Sequence, residues 1–242
     1  MPEGPSMLIL KEEAELFRGK KILEASGKSK IDKDALVNQK ITEFKTWGKH
    51  FLIYVGNNYI RVHFLLFGSY RINEEREAAP TLHLQFSNGA LNFYASAIRM
   101  LDNHPDEIYD WSADVMSDGW DPKAARKKLK LKPEMMVCDA MLSQDIFSGV
   151  GNIIKNEVLF RIRVHPKSKV GNLPPAKLNA MIKEARIYSF QFYEWKKAFE
   201  LKKHWLAHTR KTCPRCLIPL EKEYLGKTKR RAFFCTNCQK LY

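Results

Sequence analysis

With 242 residues, of which 45% are hydrophobic and 12% aromatic, the chain has the length and composition of a globular protein of one or two domains. Its longest apolar runs, FLIYV and HFLLFG, are far shorter than the roughly 18 residues needed to cross a bilayer, which excludes a membrane-spanning helix. The start offers no basic region followed by a long apolar segment, so no secretory signal is visible and we expect a cytoplasmic protein.

The positive charge is concentrated in the second half of the chain. Residues 1–120 contain 14 Lys and Arg against 17 Asp and Glu, a net charge of −3, whereas residues 121–242 contain 27 against 10, a net charge of +17. Such a surface suits a polyanion, because each phosphate that a cation neutralises releases counterions. The asymmetry favours a nucleic-acid partner over an acidic membrane surface or an acidic protein.

The first six residues, MPEGPS, allow two interpretations. They can be a solvated tail, as most chain termini are. Alternatively, removal of Met1 before the small Pro2 leaves a secondary amine at the N-terminus, and such an amine can be a nucleophile. These residues alone do not decide between the two.

The hydrophobic pattern of the first half predicts one helix followed by strands. Residues 7–18 have apolar side chains at helical spacing, and Gly19 is a plausible end of that helix. FLIYV and YIRVHF flank a Gly-Asn-Asn turn, and LHLQF and ALNFY flank a Ser-Asn-Gly turn, so we expect hairpins of a sandwich or barrel between residues 20 and 100.

After residue 121 the pattern is helical, with a long stretch from about Pro175 to Trp205. We therefore expect a boundary near residues 105–125 and divide the chain into an N-terminal domain (1–120), a helical domain (121–210) and a terminal segment (211–242). Between the predicted helices lies Gly149-Val-Gly151-Asn152, which resembles a tight turn before a helix. Exposed amides at such a helix start face an anion, with Asn152 adding a side-chain bond or serving as the cap; an ordinary turn without a ligand is the alternative.

Four of the five cysteines form two pairs near the end of the chain, Cys213-Pro-Arg-Cys216 and Cys235-Thr-Asn-Cys238, with 18 residues between the pairs. Two thiolate pairs at this spacing suit one structural Zn²⁺ held by two turns, with a hairpin turning near Gly226 between them. Disulfides are the alternative, but no feature of the sequence indicates export. The fifth, Cys138, is expected to be a buried helical thiol.

Taken together, these motifs resemble the formamidopyrimidine-DNA glycosylase and endonuclease VIII family of DNA repair enzymes. PEGP at the start resembles the catalytic start of that family, TWGKHFLIY the strand that carries its lysine, GVGN its helix-two-turn-helix, and the cysteine hairpin its zinc finger. The resemblance spans the whole chain. It implies an α+β fold with an N-terminal β-sandwich and flanking helix, a helix-two-turn-helix domain, and a four-cysteine zinc-finger β-hairpin.

The resemblance also implies a role for particular residues. The catalytic residues are Pro2, Glu3 and Lys49, and the metal ligands are the four paired cysteines. The DNA-binding residues implied are Leu65, Leu66, Phe67, Gly151, Asn152, Arg230 and Arg231. The first three of these would fill the gap left by an extruded base, although an apolar run beside a glycine can equally belong to the core of a sheet.

The implied activity is that of a bifunctional glycosylase and AP lyase of base excision repair. Pro2 would attack the sugar C1′ to form a Schiff base, and β/δ-elimination would then cut the strand. YASAIRML and the glycine after Glu3 resemble the endonuclease VIII branch and favour oxidised pyrimidines as substrates. Ser6 departs from the family, which commonly has an acid at that position, and residues 187–211 are expected to form a continuous helix in place of the loop of the 8-oxoguanine branch.

The expected partner is damaged DNA, duplex or single-stranded, bound by a monomer without a membrane partner and located in the cytoplasm, or in the nucleoid of a bacterium. The alternative is a non-catalytic zinc-containing DNA- or RNA-binding protein, which would share the charge, the turn and the finger without needing a free Pro2.

Overall fold

A computed structural model describes residues 2–242 of the chain, and these form two compact units. The first unit ends at Tyr109 and the second begins at Asp110. This boundary lies inside the interval 105–125 where the sequence predicts it, whereas the further division at residue 210 stays a prediction.

The first unit contains a helix, α1 (Gly4–Ala14), and an antiparallel sheet of six strands. A 3-10 turn (Glu15–Phe17) follows α1, and the predicted stop, Gly19, has a φ of 76° that few other residues adopt. The sheet order is β1-β5-β6-β4-β3-β2. The strands are β1 (Glu24–Ser26), β2 (Ile41–Trp47), β3 (His50–Val55), β4 (Asn58–Ile72), β5 (Leu82–Phe86) and β6 (Gly89–Leu101); short helices occur at Asp34–Leu36 and at α2 (Pro105–Ile108).

The six strands and α1 enclose one hydrophobic core. Alternate residues of β3 and β4, such as Phe51, Ile53 and Val62, point into it because side chains alternate across a strand. Phe17 stacks on Phe86 at 4.4 Å between ring centroids and so packs the end of the first helix against β5. The predicted β-sandwich with its flanking helix is confirmed.

Both predicted hairpins are confirmed as well. Strand β3 pairs with β4 around a two-residue turn from Val55 to Asn58, and β5 pairs with β6 around another from Phe86 to Gly89. The first turn uses Gly56 at a φ of 54°, as two-residue hairpin turns require. The long pair β4–β6 is interrupted by a register shift between Phe64 and Ser69.

The second unit contains four helices and one hairpin. The helices are α3 (Pro122–Lys130), α4 (Val137–Leu142), α5 (Asn152–Arg161) and α6 (Pro175–Lys197), with 3-10 turns at Trp111–Ala113, Val170–Asn172 and Leu201–His204. Both α3 and α6 begin with a proline, whose missing N–H costs nothing in the first helical turn. In the described part of the chain, no helix is long and apolar enough to span a membrane.

The expectation of one continuous helix over residues 187–211 is wrong. Helix α6 ends at Lys197, and two residues later Phe199 has the left-handed φ of 59°, which no right-handed helix can contain. A single 3-10 turn follows, and the chain then runs as loop and turns to the cysteines. Trp195 in α6 and His204 beyond the break stack at 4.1 Å between ring centroids, so the segment after the break stays in contact with the helix.

The terminal hairpin consists of β7 (Glu221–Leu225) and β8 (Arg230–Phe234), and it turns at Gly226 as predicted. Gly226 has a φ of 75°, and a Cβ at this position would collide with the carboxylate of Asp139. The backbone N–H of Lys227 donates to both oxygens of that carboxylate, at 3.0 and 3.1 Å. The tip of the hairpin is thereby attached to α4.

Candidate functional site

The start of the chain is integrated into the first unit and is not a solvated tail. Pro2 is half-buried, and Glu3 is only 1% exposed at the residue that caps α1. The backbone oxygen of Glu3 accepts from the N–H of Ser6 at 2.8 Å, so the first turn of the helix forms directly behind the proline. Helix α1 packs on β2 and β3. The question whether Met1 is removed concerns a residue outside the described range.

Lys49 lies in the two-residue turn between β2 and β3 and not within a strand. Its neighbour Gly48 is buried and has a φ of 55°, a value that a side chain would make costly. The tight turn fixes the backbone of Lys49 at the end of a rigid hairpin, and its side chain is half-buried. A turn of this kind can hold the backbone of a lysine at a fixed position relative to a substrate.

Two histidines close to Lys49 are uncharged at neutral pH. Burial, followed by the nearby Arg61, His63 and Lys49, lowers the pKa of His50 from 6.5 to about 3. Burial, Lys49 and Arg61 also lower the pKa of His63. His50 Nδ1 lies 3.2 Å from the hydroxyl of Tyr109, so the imidazole is held by a neutral partner. The fixed positive charges here are therefore those of Lys49 and Arg61.

Sequence reasoning missed Arg61 and the histidines of this cluster. Arg61 and His63 alternate with apolar residues in YIRVHF, so they occupy the face of β4 opposite the core, and in the register His63 is paired with His50. The alternation was visible in the sequence, but the pairing that brings them near Lys49 was not.

The apolar run at residues 65–67 is on the surface and not in the core. Leu65, Leu66 and Phe67 are 50%, 55% and 83% exposed, so the interpretation as a sheet core is wrong. They lie where β4 loses its regular pairing with β6, between Phe64 and Ser69, and this irregularity directs three consecutive large side chains outward. Large apolar side chains in a row are costly to expose to water, so this stretch is a candidate contact surface.

In the second unit, the GVGN turn is rigid and precedes α5. Gly149 has a φ of 93°, its N–H donates to Gln144 Oε1 at 3.1 Å, and the Gln144 amide donates to the backbone oxygens of Leu142 and Val150. Gly151 caps the helix and Asn152 is its first residue, so the suggestion that Asn152 is the cap is wrong. Asn152 Oδ1 accepts from Lys155 Nζ at 2.9 Å, which turns the donor end of its amide, Nδ2, to the other side.

Three consecutive buried polar residues of α5, Lys155, Asn156 and Glu157, hold the surrounding segments, and sequence reasoning missed them. Lys155 Nζ donates to Asn152 and to the backbone oxygen of Arg231, at 2.9 and 3.0 Å. Asn156 accepts from the N–H of Phe233 at 3.2 Å. The only signal in the sequence is KNE inside an otherwise apolar helix pattern.

The third member of this trio, Glu157, organises the approach to the cysteines. Its carboxylate accepts from three backbone N–H groups, those of Leu206, Ala207 and His208, at 2.9, 2.9 and 2.7 Å. Burial, then Lys155 and Arg231, lowers the pKa of His208 to about 4, so its ring is neutral beside the Asn156 amide.

The predicted finger arginines lie at the start of β8, with Arg230 half-buried and Arg231 exposed. Because the backbone oxygen of Arg231 accepts from both Lys155 and Asn156, side chains of α5 hold the start of β8. The structure thus brings together Asn152 and Arg231, which are 79 positions apart in the sequence.

The four paired cysteines converge as predicted. The sulfur atoms of Cys213, Cys216, Cys235 and Cys238 all lie within 4.8 Å of one another, and those of Cys213 and Cys238 are 3.8 Å apart. Four sulfurs about 2.3 Å from a tetrahedral ion lie about 3.8 Å apart, so the group can hold a metal. Cys138 is 2% exposed in α4, and burial raises its pKa to about 11, as expected of a buried thiol.

Comparison with known proteins gives the family of the chain. Residues 1–101 match the model of the formamidopyrimidine-DNA glycosylase N-terminal domain, and residues 112–188 match the model of the formamidopyrimidine-DNA glycosylase H2TH domain. The chain belongs to this family of DNA glycosylases. The two matches follow one another along the chain without overlap.

Relatives from both branches of the family are similar to the chain. Endonuclease 8-like 3 of Xenopus laevis is 32% identical over 90% of the chain, and the protein of that name from Homo sapiens is 30% identical over 81%. The chain spans only 38% and 34% of the length of these two relatives. Formamidopyrimidine-DNA glycosylase of Mycoplasmopsis pulmonis is 26% identical, with 85% of the chain matching 82% of that protein. The higher identities are on the endonuclease VIII side, as the sequence indicates.

Solved structures show the same fold. A viral DNA glycosylase matches with a TM-score of 0.84 at 19% identity and covers 98% of the chain and all of its own. The Lactococcus lactis formamido-pyrimidine DNA glycosylase bound to DNA containing an AP site matches with a TM-score of 0.86 at 19% identity, covering 98% of the chain and 99% of its own. The predicted α+β fold class is confirmed.

Proposed function

We propose that this member of the formamidopyrimidine-DNA glycosylase family removes oxidised bases from DNA and cuts the strand at the resulting abasic site. The observation that carries the proposal is the packed start of the chain, where the buried carboxyl group of Glu3 adjoins Pro2 at the beginning of α1. Carboxylates are rarely buried to this extent without a structural or chemical role. A solvated terminal segment would leave such a carboxylate exposed.

Pro2 is the proposed nucleophile, once Met1 has been removed. An α-amino group has an ordinary pKa of about 7.7–8.0 against about 10.4 for a lysine, so a far larger fraction of it is neutral at pH 7. The neutral amine attacks C1′ of the sugar, and the base departs. The secondary amine then forms a permanently cationic iminium, which withdraws electrons and allows β- and then δ-elimination to break the strand on both sides.

Glu3 and Lys49 have the proposed supporting roles. Glu3 moves protons next to the nucleophile and assists opening of the sugar ring. Lys49 supplies positive charge that stabilises a phosphate or the departing sugar oxygen. Arg61 adds to this charge, since it is close enough to lower the pKa of the same two histidines. His50 and His63 are neutral at pH 7, so they do not compete with Lys49 and Arg61 for the same anion.

The proposed DNA contacts lie on exposed or rigid elements. Leu65, Leu66 and Phe67 fill the space left by the extruded nucleotide, a role that their exposure permits. The N–H groups that follow Gly151 and the amide of Asn152 bind a phosphate at the start of α5. Arg230 and Arg231 add charge at the start of β8, next to the ammonium group of Lys155. We propose damaged DNA as the partner.

We propose that the four-cysteine group holds one structural zinc ion. The sulfur spacing fits a tetrahedral site, and the donor set of four thiolates favours Zn²⁺ over harder cations. With all four positions occupied by protein ligands, the metal supplies no open coordination site and its contribution is to fold the finger. Phe160, Ala207 and Phe233 pack against the cysteines, so the metal site stabilises the contact of the finger with α5.

The proposed substrates are oxidised pyrimidines. The support is the resemblance of YASAIRML and of the glycine after Glu3 to the endonuclease VIII branch, together with the higher identity to the Endonuclease 8-like 3 proteins. Because residues 187–211 do not form one helix, the expected lack of a loop there no longer argues against 8-oxoguanine. A direct comparison of lesions in duplex and single strands tests the preference.

Borohydride trapping tests the central step. If Pro2 attacks C1′, reduction during turnover should join the protein covalently to lesion DNA, with the crosslink in the N-terminal peptide. Pro2→Gly retains a primary amine and should retain some trapping. A non-cleavable N-terminal extension replaces the amine with an amide and should abolish trapping and strand cutting while DNA binding persists. Undiminished trapping by the extended protein would show that a side-chain amine is the nucleophile, with Lys49 the first to test.

A further inference from the structure

A groove runs between α3 and α6 in the second unit, and neither the proposed reaction nor the proposed DNA contacts use it. We call it the α3–α6 groove. It contains two depressions of about 400 and 230 Å³, and Arg126 lines both of them. The larger depression has the size of a typical ligand pocket, whereas the smaller one suits a single apolar side chain.

Both depressions have apolar floors. The larger is lined by Trp120, Ile182 and Ile187, and the smaller by Val170, Leu173 and Leu178, as well as by prolines. With one exception these are aliphatic side chains, which fit branched aliphatic side chains and offer a nucleotide base few flat surfaces for stacking.

The rim of the α3–α6 groove is cationic. Lys123, Arg126 and Lys130 line it from α3, and Lys183 and Arg186 from α6. Among the described residues that line the two depressions, none is acidic. The three α3 residues are at positions i, i+3 and i+7, so they lie along one face of the helix over about 10 Å.

Two of the rim cations are placed for an incoming anion. Arg186 is fixed by bonds from Nη1 to the backbone oxygens of Val115 and Ser117, at 2.9 and 2.7 Å. Arg126 Nε is buried without a hydrogen-bond partner among the described residues, and Arg126 stands between the depressions. Nε itself is not accessible to solvent, but Arg126 is only half-buried, and the remaining guanidinium nitrogens can form charge-assisted hydrogen bonds with an arriving carboxylate.

We propose that the α3–α6 groove binds an acidic peptide of a partner protein, in which two apolar side chains flank a carboxylate. The apolar side chains fill the two depressions, and the carboxylate binds Arg126 between them. Charge complementarity favours this occupant, because five cations and no acidic residue line the two depressions among the described residues. The apolar floors favour a peptide over a phosphate backbone, which has no apolar groups to fill them. Apolar anchors with a charged residue between them are a common mode of peptide recognition.

Selection from a phage-displayed library of random 12-residue peptides tests this proposal on the zinc-loaded chain of 242 residues. The selected peptides should be rich in Asp and Glu and should contain one apolar residue on each side of an acidic one. The affinity of the best peptide is then measured by fluorescence anisotropy in low salt, against a version with Gln and Asn in place of Glu and Asp. The neutral version should bind at least tenfold more weakly.

Two surface variants and two matched controls assign the site. Arg126→Gln removes the central cation, and Ile187→Ser removes part of the larger floor from a side chain that is 37% exposed, so folding should persist. Each should weaken the peptide at least tenfold. Lys202→Gln removes an exposed lysine elsewhere, and Leu131→Ser removes an apolar side chain that is 74% exposed outside the groove. Both controls should bind within twofold of the parent.

Three results would overturn the proposal. The first is a set of selected peptides without the acidic and apolar pattern. The second is a peptide affinity of Arg126→Gln and Ile187→Ser that equals that of the parent protein. Displacement of the peptide by a single-stranded oligonucleotide from the parent protein, but not from Arg126→Gln, would make the groove a nucleic-acid site. The proposal does not depend on catalysis, so strand cutting by both groove variants should equal that of the parent.

Discussion

The carboxylate of Glu157 is the strongest single link between α5 and the segment that leads to the cysteines, and Glu157→Gln tests it. Glu157 is fully buried and accepts from three backbone N–H groups. In the amide, Oε1 can still accept from Ala207 and His208, but the new NH₂ group faces the N–H of Leu206. The half-buried N–H of Leu206 then loses its acceptor, and the buried NH₂ group adds donors that need one.

The magnitude follows from these bonds. An unsatisfied buried donor costs about 1–3 kcal/mol, and replacing an ionised acceptor by a neutral one weakens each of the other two bonds by about 1 kcal/mol. Removal of a buried charge recovers part of that loss. We therefore expect a net local destabilisation of about 2–4 kcal/mol, which is a factor of roughly 30 to 1000 in an opening equilibrium.

Backbone amide hydrogen exchange of the zinc-loaded protein measures this factor at the right place. The amides of Leu206, Ala207 and His208 should exchange faster in Glu157→Gln by that factor, whereas Glu200→Gln, which neutralises an exposed carboxylate on a short surface turn, should leave them unchanged. Equal protection of these three amides in both variants would refute the claim that the carboxylate holds the segment.

Three further predictions concern the two units separately. The stability of the first unit should fall as the pH drops from 6.5 towards 3, because the pKa of His50 is about 3 when folded and 6.5 when unfolded, so the unfolded chain binds the extra proton. Chemical denaturation at several pH values should show that the free energy of unfolding depends less steeply on pH in His50→Gln. An unchanged dependence would count against the lowered pKa of His50. Leu66→Ala should slow base release several-fold in duplex DNA and less in single strands, since only a duplex has a stack to refill; equal slowing would argue against the wedge role. Cys213→Ser should lose both zinc and DNA binding, as metal analysis and a binding titration would show; retention of a full equivalent of zinc would contradict its assignment as a ligand.

Short-range patterns in the sequence determined much of this protein. The turn residues predicted both hairpins of the sandwich. In the first, Gly56 takes the positive φ that a two-residue turn needs, and in the second, Ser87 and Asn88 are residue types that favour turns. The spacing of the cysteines predicted their convergence, because each pair occupies one turn. PEGP and GVGN indicated the family, which the matches to its two domain models confirm.

Features that depend on which segments meet in space could not be read from the same patterns. The apolar run at residues 65–67 fits a core strand equally well, and only the interrupted pairing of β4 with β6 exposes it. The end of α6 was missed because residues 187–211 contain no glycine or proline, and the residue that takes the left-handed φ beyond the helix is Phe199, which gives no such signal in the sequence.

The clearest case is KNE at residues 155–157. In the sequence it is a short polar interruption of an apolar helix pattern, and Lys, Asn and Glu are mostly solvated in proteins. In the structure all three are buried. Lys155 and Asn156 also bond to the nearby Asn152, and Asn156 to the His208 ring, but most of their partners are backbone groups of residues 206–208, 231 and 233, more than 45 positions away. Backbone donors and acceptors are the same in every residue, so no side-chain pattern records them as partners. Only the tertiary structure, which removes these groups from water, decides that they must pair.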